Sequence, residues 1–290
     1  MGAPGRASLS SWNFAHPRSR PYYGSLMPAA NPASPFYQAL KRAVARRGVT
    51  LAQLCPPGDP VAQRVLHDYG AMFVGSETIL PPPVCVFTSE RDVSQFQEAA
   101  GWAAATIGAA TVELQPAAMA ALLRARATAS NEGLEITPRD GAEAARRDYA
   151  DTVRLWNSRF LPALEHWRNK GRLTADQVDR LRTLAINGQV AEVLELEKQG
   201  IFFSKDLSKS VLYSIAAPGS SQHIAMLAFD VNEFINRRVR EIMAAEGWFQ
   251  TVLSDLPHFT FLGLDESGLP QNGLKAVEAN GQTFWIPDVV

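Results

Sequence analysis

The 290-residue chain lacks a charge excess of either sign, because 28 Lys and Arg residues stand against 29 Asp and Glu residues. Binding to a nucleic-acid backbone needs clustered positive charge, so this balance argues against nucleic acid as a partner. The sequence also lacks any apolar run near the roughly 20 residues of a membrane helix. Hydrophobic residues still make up 46% of the chain, enough for a folded core. These features predict a soluble, folded protein with no transmembrane segment.

Cysteine is scarce as well, with only Cys55 and Cys85 and no CxxC pair. A zinc site built from cysteines is therefore excluded. The two residues either form one disulfide in an oxidising compartment or remain free thiols. The first residues, MGAPGRASLSSW, lack the apolar run of a secretory signal, so the sequence itself predicts no export.

Composition divides the chain into four parts. Residues 1–35 are rich in Pro, Gly, Ser and Ala and indicate an extended leader. Residues 36–84 combine one amphipathic helix with Pro-rich loops and form an extension. Residues 85–265 form the main domain, and residues 266–290 contain an Asn-Gly turn typical of a hairpin.

Helix signals dominate the chain up to residue 200. Capping and breaking residues predict a helix after Thr88, an alanine-rich helix from Pro116 to about Ser130, and a helix that starts at Thr174 and ends at Asn187-Gly188. A capping box of Asp140 and Glu143 predicts a long helix that breaks near Asn157 and continues to about Asn169. A further helix, QVAEVLELEKQ, ends at Gly200.

Strand signals are short and concentrate in the last third of the chain. They are GLEIT (133–137), SVLYSIA (210–216), WFQTV after Gly247, the segment HFTFLG, and the two arms around Asn280-Gly281. Helices followed by short strands, without βαβ alternation, predict an α+β fold.

Scarce ionisable residues are the natural candidates for chemistry, and the chain has five histidines. Three of them indicate ordinary surface or half-buried rings: His16, His67 and His166. The other two, His223 and His258, lie in short polar turns flanked by apolar residues. Each has a carboxylate nearby in sequence, Asp230 for the first and Asp255 for the second.

The segment DLPHF places His258 at the start of a strand, because Pro257 keeps Leu256 out of the helical region. Alternation then puts His258 and Thr260 on one face and the phenylalanines on the other. If the chain turns at the proline, Asp255 faces the same cleft as His258 and is a candidate general base. The alternative is that Asp255 caps a turn and that His258 is an ordinary strand residue.

The spacing of His223 and Asp230 leaves two interpretations open. Residues seven apart share a face on a helix and point opposite ways on a regular strand. A turn followed by a short strand would instead bring both side chains to one metal ion with His258. Two imidazole nitrogens and one carboxylate oxygen leave a fourth tetrahedral position for water, as catalytic zinc requires.

This arrangement of segments resembles a known family. The segment SQHIAMLAFD (221–230), a helix, Gly247-Trp248 and then DLPHF (255–259) are similar to the zinc D-alanyl-D-alanine carboxypeptidases of the vancomycin-resistance (VanY) type. The pattern of that family is S-x-H-x-x-G-x-A-x-D and, after a helix, E-x-x-H. The resemblance covers about residues 205–265 and implies a zinc peptidase domain of the hedgehog/DD-peptidase type over residues 85–265.

The matching positions imply one zinc ion held by His223, Asp230 and His258, with Ser221 and Ala228 also agreeing with the pattern. Two positions depart from it. Met226 replaces the glycine, and Asp255 replaces the catalytic glutamate with a side chain one methylene shorter. Asp255 is then the implied general base.

The resemblance also implies substrate-binding roles. EITPRDG (135–141) is placed like the S-G-Y-R-S segment of the family and offers Arg139 as a partner for the terminal carboxylate of a substrate. Ser221 is a second candidate contact with that carboxylate. The alternatives are a solvated Arg139 beside a helix start and simple turn chemistry at Ser221.

The implied activity is removal of the terminal D-alanine from peptidoglycan stem peptides, in the periplasm or at the cell wall. The closest alternatives are a D-Ala-D-Ala dipeptidase or a wall-lytic endopeptidase of the same superfamily. A non-catalytic, zinc-bearing wall-binding module is favoured by Met226 and Asp255. An all-helical scaffold with incidental histidines would bind no metal.

Overall fold

The computed structural model describes residues 31–290, so the predicted leader lies outside the described residues except for its last positions. The helices are α1 (Pro35–Arg46), α2 (Leu51–Leu54), α3 (Pro60–Tyr69), α4 (Glu90–Ala100), α5 (Pro116–Asn131), α6 (Tyr149–Asn169), α7 (Ala175–Thr183), α8 (Ile186–Lys198) and α9 (Arg237–Ala245). The strands are β1 (Ala103–Ile107), β2 (Ala110–Leu114), β3 (Ala228–Asp230), β4 (Trp248–Phe249), β5 (His258–Phe261), β6 (Leu274–Ala279) and β7 (Gln282–Pro287). The predicted α+β class is confirmed.

All strand pairs in these sheets are antiparallel. β1 and β2 form one hairpin, and β6 and β7 form another around Asn280-Gly281, as predicted. Both turn residues have positive φ, which is what a two-residue Asn-Gly hairpin turn requires. The third sheet has the order β3-β5-β4, so β5 pairs with a strand on each side. This central strand begins with His258.

Several predicted helices form because their capping residues act locally. The Ser89 hydroxyl accepts the Asp92 N–H at the start of α4, and Thr174 and Gln177 make the predicted capping box of α7. Pro116 opens α5, and Gly200 follows the end of α8 with a positive φ. The prediction of these helix starts is confirmed.

Two helix boundaries were predicted wrongly. The long helix α6 does not start at Asp140, which has left-handed backbone geometry; it starts after Asp148, whose capping box uses Asp151. α6 also continues through Asn157 without a break. The Asn187-Gly188 pair does not end a helix, because α7 ends earlier and the pair lies in the first turn of α8.

Two predicted strands are absent from the described residues. Segment 210–216 contains a short 3-10 helix, Val211–Tyr213, whose first N–H donates to the Glu197 carboxylate at 2.6 Å. Segment 133–137 joins no sheet: the Thr137 N–H donates to Glu233, and only Pro138 makes a bridge, with Val231. Side-chain acceptors replace strand partners in both places, which outweighs the β-propensity of the residues.

The buried side chains form a continuous hydrophobic cluster from Phe36 to Val289. The extension and the C-terminal hairpin therefore share one core with the residues between them. The Phe36 N–H donates to the Asp288 carbonyl at 3.0 Å, which ties α1 to the end of β7. Cys55 and Cys85 are buried free thiols, and burial raises the pKa of Cys85. Among residues 31–290, no helix has the length and apolar character needed to cross a membrane.

Gly219 is the point where the loop before His223 touches the segment after Cys85. Its φ is +78°, and a Cβ there would lie 2.0 Å from the carbonyl oxygen of Phe87. Gly200 has a similar φ of +76°, but no atom lies within 4 Å of the position that a Cβ would take there. Alanine substitutions at the two glycines therefore distinguish the cost of backbone strain from the cost of a steric clash.

We expect Gly219→Ala to destabilise the protein by about 2 kcal/mol more than Gly200→Ala, because only the first also displaces backbone atoms. Gly200→Ala should cost about 1 kcal/mol from the left-handed geometry alone. Urea unfolding of both variants measures the difference. Equal losses in the two variants would contradict the close packing of this loop.

Candidate metal centre

Three side chains that are far apart in sequence converge in the interior: His223, Asp230 and His258. Nε2 of His223 lies 3.2 Å from Nδ1 of His258. Nδ1 of His258 lies 3.1 Å from Oδ1 of Asp230, and Nε2 of His223 lies 3.4 Å from Oδ2 of the same carboxylate. The residues are only 2%, 7% and 5% exposed in sequence order. The structure therefore brings together the three residues that the sequence singled out as ligands.

Strand register accounts for two of the three. In the antiparallel pairing of β3 with β5, Asp230 lies directly opposite His258. Side chains of directly opposed residues stand on the same face of a sheet. Phe229 and Phe259, also opposed, occupy the other face and are buried in the core. A shift of one residue in this pairing would place Asp230 and His258 on opposite faces of the sheet.

A tight loop positions the third residue, His223. The loop ends at β3, and its carbonyl groups are held by two buried glutamine side chains. Gln97 of α4 donates to the Ile224 carbonyl at 3.0 Å, and Gln115 before α5 donates to the Ala225 carbonyl at 2.8 Å. The backbone N–H of Gln115 also donates to the Met226 carbonyl. Because these buried polar groups are all satisfied, the loop has one well-defined conformation.

The outer ring nitrogens of both histidines face oxygen acceptors. Nδ1 of His223 lies 2.8 Å from the carbonyl oxygen of Ala145, which can only accept a hydrogen bond. Nε2 of His258 lies 2.7 Å from Oε1 of Gln222. A neutral imidazole carries one proton, and these outer acceptors give each ring a partner for a proton on its outer nitrogen. In that tautomer Nε2 of His223 and Nδ1 of His258 direct lone pairs towards each other and towards Asp230, as ligands of a cation would.

Three acceptor groups without a proton between them are unfavourable in a buried site unless a cation joins them. Four ligands placed tetrahedrally about 2.0 Å from a zinc ion lie about 3.3 Å from one another. The separations of 3.1, 3.2 and 3.4 Å among the three side chains are close to that value. Two imidazoles and one carboxylate also suit a transition-metal cation. The group fits a metal ion on both geometry and chemistry.

Asp230 is held ionised by its surroundings. Burial alone would raise the pKa of its carboxyl group, but interactions with His223 and His258 outweigh burial and hold that pKa well below its usual range. Nη2 of Arg147 contacts Oδ2 of Asp230 at 3.1 Å. This ion pair fixes one carboxylate oxygen and leaves the other, Oδ1, beside His258.

His223 is held neutral. Burial lowers the pKa of its imidazole to about 4, with the positive charge of Arg147 acting in the same direction and Asp230 opposing it. A metal ligand must be an unprotonated imidazole. At neutral pH the ring is therefore in the form that a cation requires.

Asp255 lies at the solvent side of this group. Its residue is exposed, and its carbonyl oxygen accepts the His258 N–H in the turn that enters β5. No hydrogen bond to its carboxylate is formed within the described residues. Burial by the surrounding protein and the charge of Asp230 raise the pKa of the Asp255 carboxyl group, and this rise exceeds the lowering by His258, Arg147 and Arg139. A bound cation would also lower this pKa.

The other predicted positions have clear local roles. The Ser221 hydroxyl accepts the His223 N–H at 3.3 Å in a buried turn, as turn chemistry alone requires. Arg139 is exposed; its N–H donates to the Asp230 carbonyl, and its guanidinium lies over the Phe234 ring. Met226 is fully buried and has a positive φ of 55°. Its side chain therefore packs in the core and forms no part of a cleft wall.

Two residues of the site were missed from the sequence, Arg147 and Gln222. Arg147 follows another arginine just before the α6 cap, where charged residues are ordinary, so the sequence carries no signal for it. Gln222 stands inside the SQH motif itself. Its type, a polar side chain between a serine and a predicted ligand in an apolar setting, was a usable signal.

Comparison of the chain with protein-family models, with curated proteins and with solved structures found no match. The site is therefore interpreted from its own geometry and from the sequence pattern.

We expect the full chain to bind one equivalent of Zn²⁺, and His223→Ala to weaken that binding by a factor of about 100 or more, since it removes a ligand. His166→Ala is the matched control, because its ring contacts Trp167 on α6 and lies outside the metal group. Metal analysis after dialysis and titration against a chromophoric chelator measure both. Unchanged zinc in His223→Ala would contradict the site.

In the metal-free protein, we expect His223 to titrate near pH 4, because burial disfavours the imidazolium. The unfolded chain takes up this proton near pH 6.5, so stability falls as the pH drops from about 6.5 towards 4. Between pH 7 and pH 5 the loss is about 2 kcal/mol relative to His223→Gln, which cannot titrate. Imidazole NMR shifts and urea unfolding check this, and titration of His223 near pH 6.5 would contradict it.

Proposed function

We propose that the protein is a zinc-dependent D-alanyl-D-alanine carboxypeptidase that removes the terminal D-alanine from peptidoglycan stem peptides. The observation that carries the proposal is the convergence of His223, Asp230 and His258, with Asp255 in the turn that leads into His258 and its carboxyl group interacting electrostatically with His258 and Asp230. This is the ligand set and the base position that the resemblance to the VanY-type enzymes implies. A hedgehog/DD-peptidase-like domain and a location in the periplasm or cell wall are parts of the same proposal.

The geometry of Met226 supports the resemblance. The pattern of the family has glycine at this position, and Met226 has a φ of 55°, in the left-handed region that glycine adopts without strain. A non-glycine residue there is uncommon and is held by its surroundings. The loop thus has the backbone shape expected of the motif although the glycine itself is replaced.

When bound, zinc would polarise the scissile carbonyl and lower the pKa of a coordinated water. Asp255 accepts the proton of the attacking water on a carboxylate oxygen and passes it to the nitrogen of the departing D-alanine. Arg147 orients Asp230 through the ion pair with its Oδ2. Arg139, the exposed cation on this side of the site, pairs with the terminal carboxylate of the substrate. Ser221 remains a candidate second contact through its hydroxyl proton.

Two related activities would use the same residues. A D-Ala-D-Ala dipeptidase would release dipeptides, and a wall-lytic endopeptidase would cut within cross-linked stems. Product analysis with a D-Ala-D-Ala-ended pentapeptide separates them, because only the carboxypeptidase releases free D-alanine from it. The shorter side chain of Asp255 favours one further candidate, a zinc-bearing wall-binding module without hydrolysis. Stoichiometric zinc with no product from any of these substrates would support the module.

We expect Asp255→Asn to lower kcat/KM for D-alanine release by a factor of about 100 or more while the zinc content stays at wild-type level, because the base is lost and the ligands are kept. Asp265→Asn is the matched control, since Asp265 is also exposed and its side chain makes no capping bond. Equal activity of Asp255→Asn and wild type would contradict the assigned role. No D-alanine release by the wild type would contradict the proposed function.

A further inference from the structure

We infer that Gln222 is a positioning residue of the metal centre, which holds His258 in the tautomer that presents Nδ1 to the metal. The inference rests on the metal centre of the proposed function and does not depend on which peptide is cleaved. Gln222 is 1% exposed and stands between Ser221 and the ligand His223 in the chain, yet its side chain acts on the other histidine.

The orientation of the Gln222 amide follows from its partners. Its Nε2 donates to the backbone carbonyl of Tyr69, at the end of α3, at 3.0 Å. A carbonyl can only accept, so the opposite amide orientation would place two oxygens against each other. Oε1 therefore faces Nε2 of His258, at 2.7 Å. An amide oxygen also only accepts, so this contact favours the tautomer of neutral His258 that carries its proton on Nε2.

A second donor strengthens this orientation. The Thr260 hydroxyl donates to the same Oε1 at 2.6 Å, and it is itself hydrogen-bonded to the Thr251 hydroxyl at 2.7 Å. Gln222, Thr251 and Thr260 are all at most 1% exposed. Water therefore does not replace these contacts, and a missing acceptor would leave His258 without a partner for its outer nitrogen.

The choice of tautomer matters because the alternative closes the site to a cation. If the proton were on Nδ1, His258 would donate to Oδ1 of Asp230, which lies 3.1 Å away. A metal ion would then have to displace that proton before binding. By accepting the proton on the far side of the ring, Gln222 keeps the lone pair of Nδ1 directed at the site. Outer hydrogen-bond partners of this kind typically change metal affinity by about 10- to 100-fold.

The test compares three variants of the full chain. Gln222→Met removes the acceptor at similar length, and Gln222→Glu restores an acceptor. Gln189→Met is the matched control, because Gln189 is another buried glutamine and its amide bonds Trp156 and the Leu184 carbonyl, away from His258. We expect Gln222→Met to weaken Zn²⁺ binding by about 10- to 100-fold and to shift the His258 proton from Nε2 to Nδ1 in the metal-free protein. Gln222→Glu should recover most of the affinity and the Nε2 tautomer. Gln189→Met should leave both unchanged.

Chelator competition measures the affinity, and ¹⁵N imidazole shifts report the tautomer; circular dichroism establishes that each variant is folded. Wild-type affinity in Gln222→Met, or an equal loss in Gln222→Met and Gln189→Met, would overturn the inference. If Gln222→Met fails to fold, Gln222→Glu decides: an Nδ1 proton on His258 in that variant would overturn it. Absence of peptidase activity in the wild type would remove the proposed function and leave this inference standing.

Discussion

The site depends on one electrostatic constraint, the meeting of three buried side chains that can all present an acceptor atom to the same point. Nε2 of His223, Nδ1 of His258 and the carboxylate of Asp230 approach within 3.1–3.4 Å in a region that water barely reaches. The Ala145 carbonyl and the Gln222 amide oxygen take the imidazole protons on the outer side of the rings. Such an arrangement is costly by itself and becomes favourable when a cation occupies its centre. Neutral imidazoles beside an ionised carboxylate are the form that a divalent cation selects.

The fold serves this constraint through long-range contacts. Pairing of β3 with β5 sets Asp230 opposite His258, while one glutamine in α4 and another just before α5 fix the loop of His223. The extension also takes part, because the Tyr69 carbonyl at the end of α3 orients Gln222. The extension, the main domain and the C-terminal hairpin thus share one core. The extension contacts the site where the Tyr69 carbonyl accepts a hydrogen bond from the buried Gln222 amide. Unlike the three buried side chains of the site, Asp255 is exposed. A group that exchanges protons with water needs such exposure.

What could be predicted from the sequence was local. The hairpin at Asn280-Gly281 and the cap at Thr174 follow from the chemistry of a few adjacent residues, and both are present. The prediction of a strand over 210–216 was wrong, because the Glu197 carboxylate accepts the Val211 N–H and the segment forms a short 3-10 helix. The ligand types were identified from their setting, but periodicity left the face shared by His223 and Asp230 open. The loop that carries His223 decided it, through hydrogen bonds from Gln97 and Gln115, which lie more than 100 positions earlier in the sequence.

A metal centre would account for the burial of two imidazoles and one carboxylate against one another in the last third of the chain. The claim is tested most directly by anomalous X-ray scattering above and below the zinc absorption edge, from crystals of the zinc-loaded protein. The account predicts one peak about 2.0–2.2 Å from Nε2 of His223, Nδ1 of His258 and an oxygen of Asp230. A peak bound through the outer nitrogens, or no peak at these three residues, would contradict it.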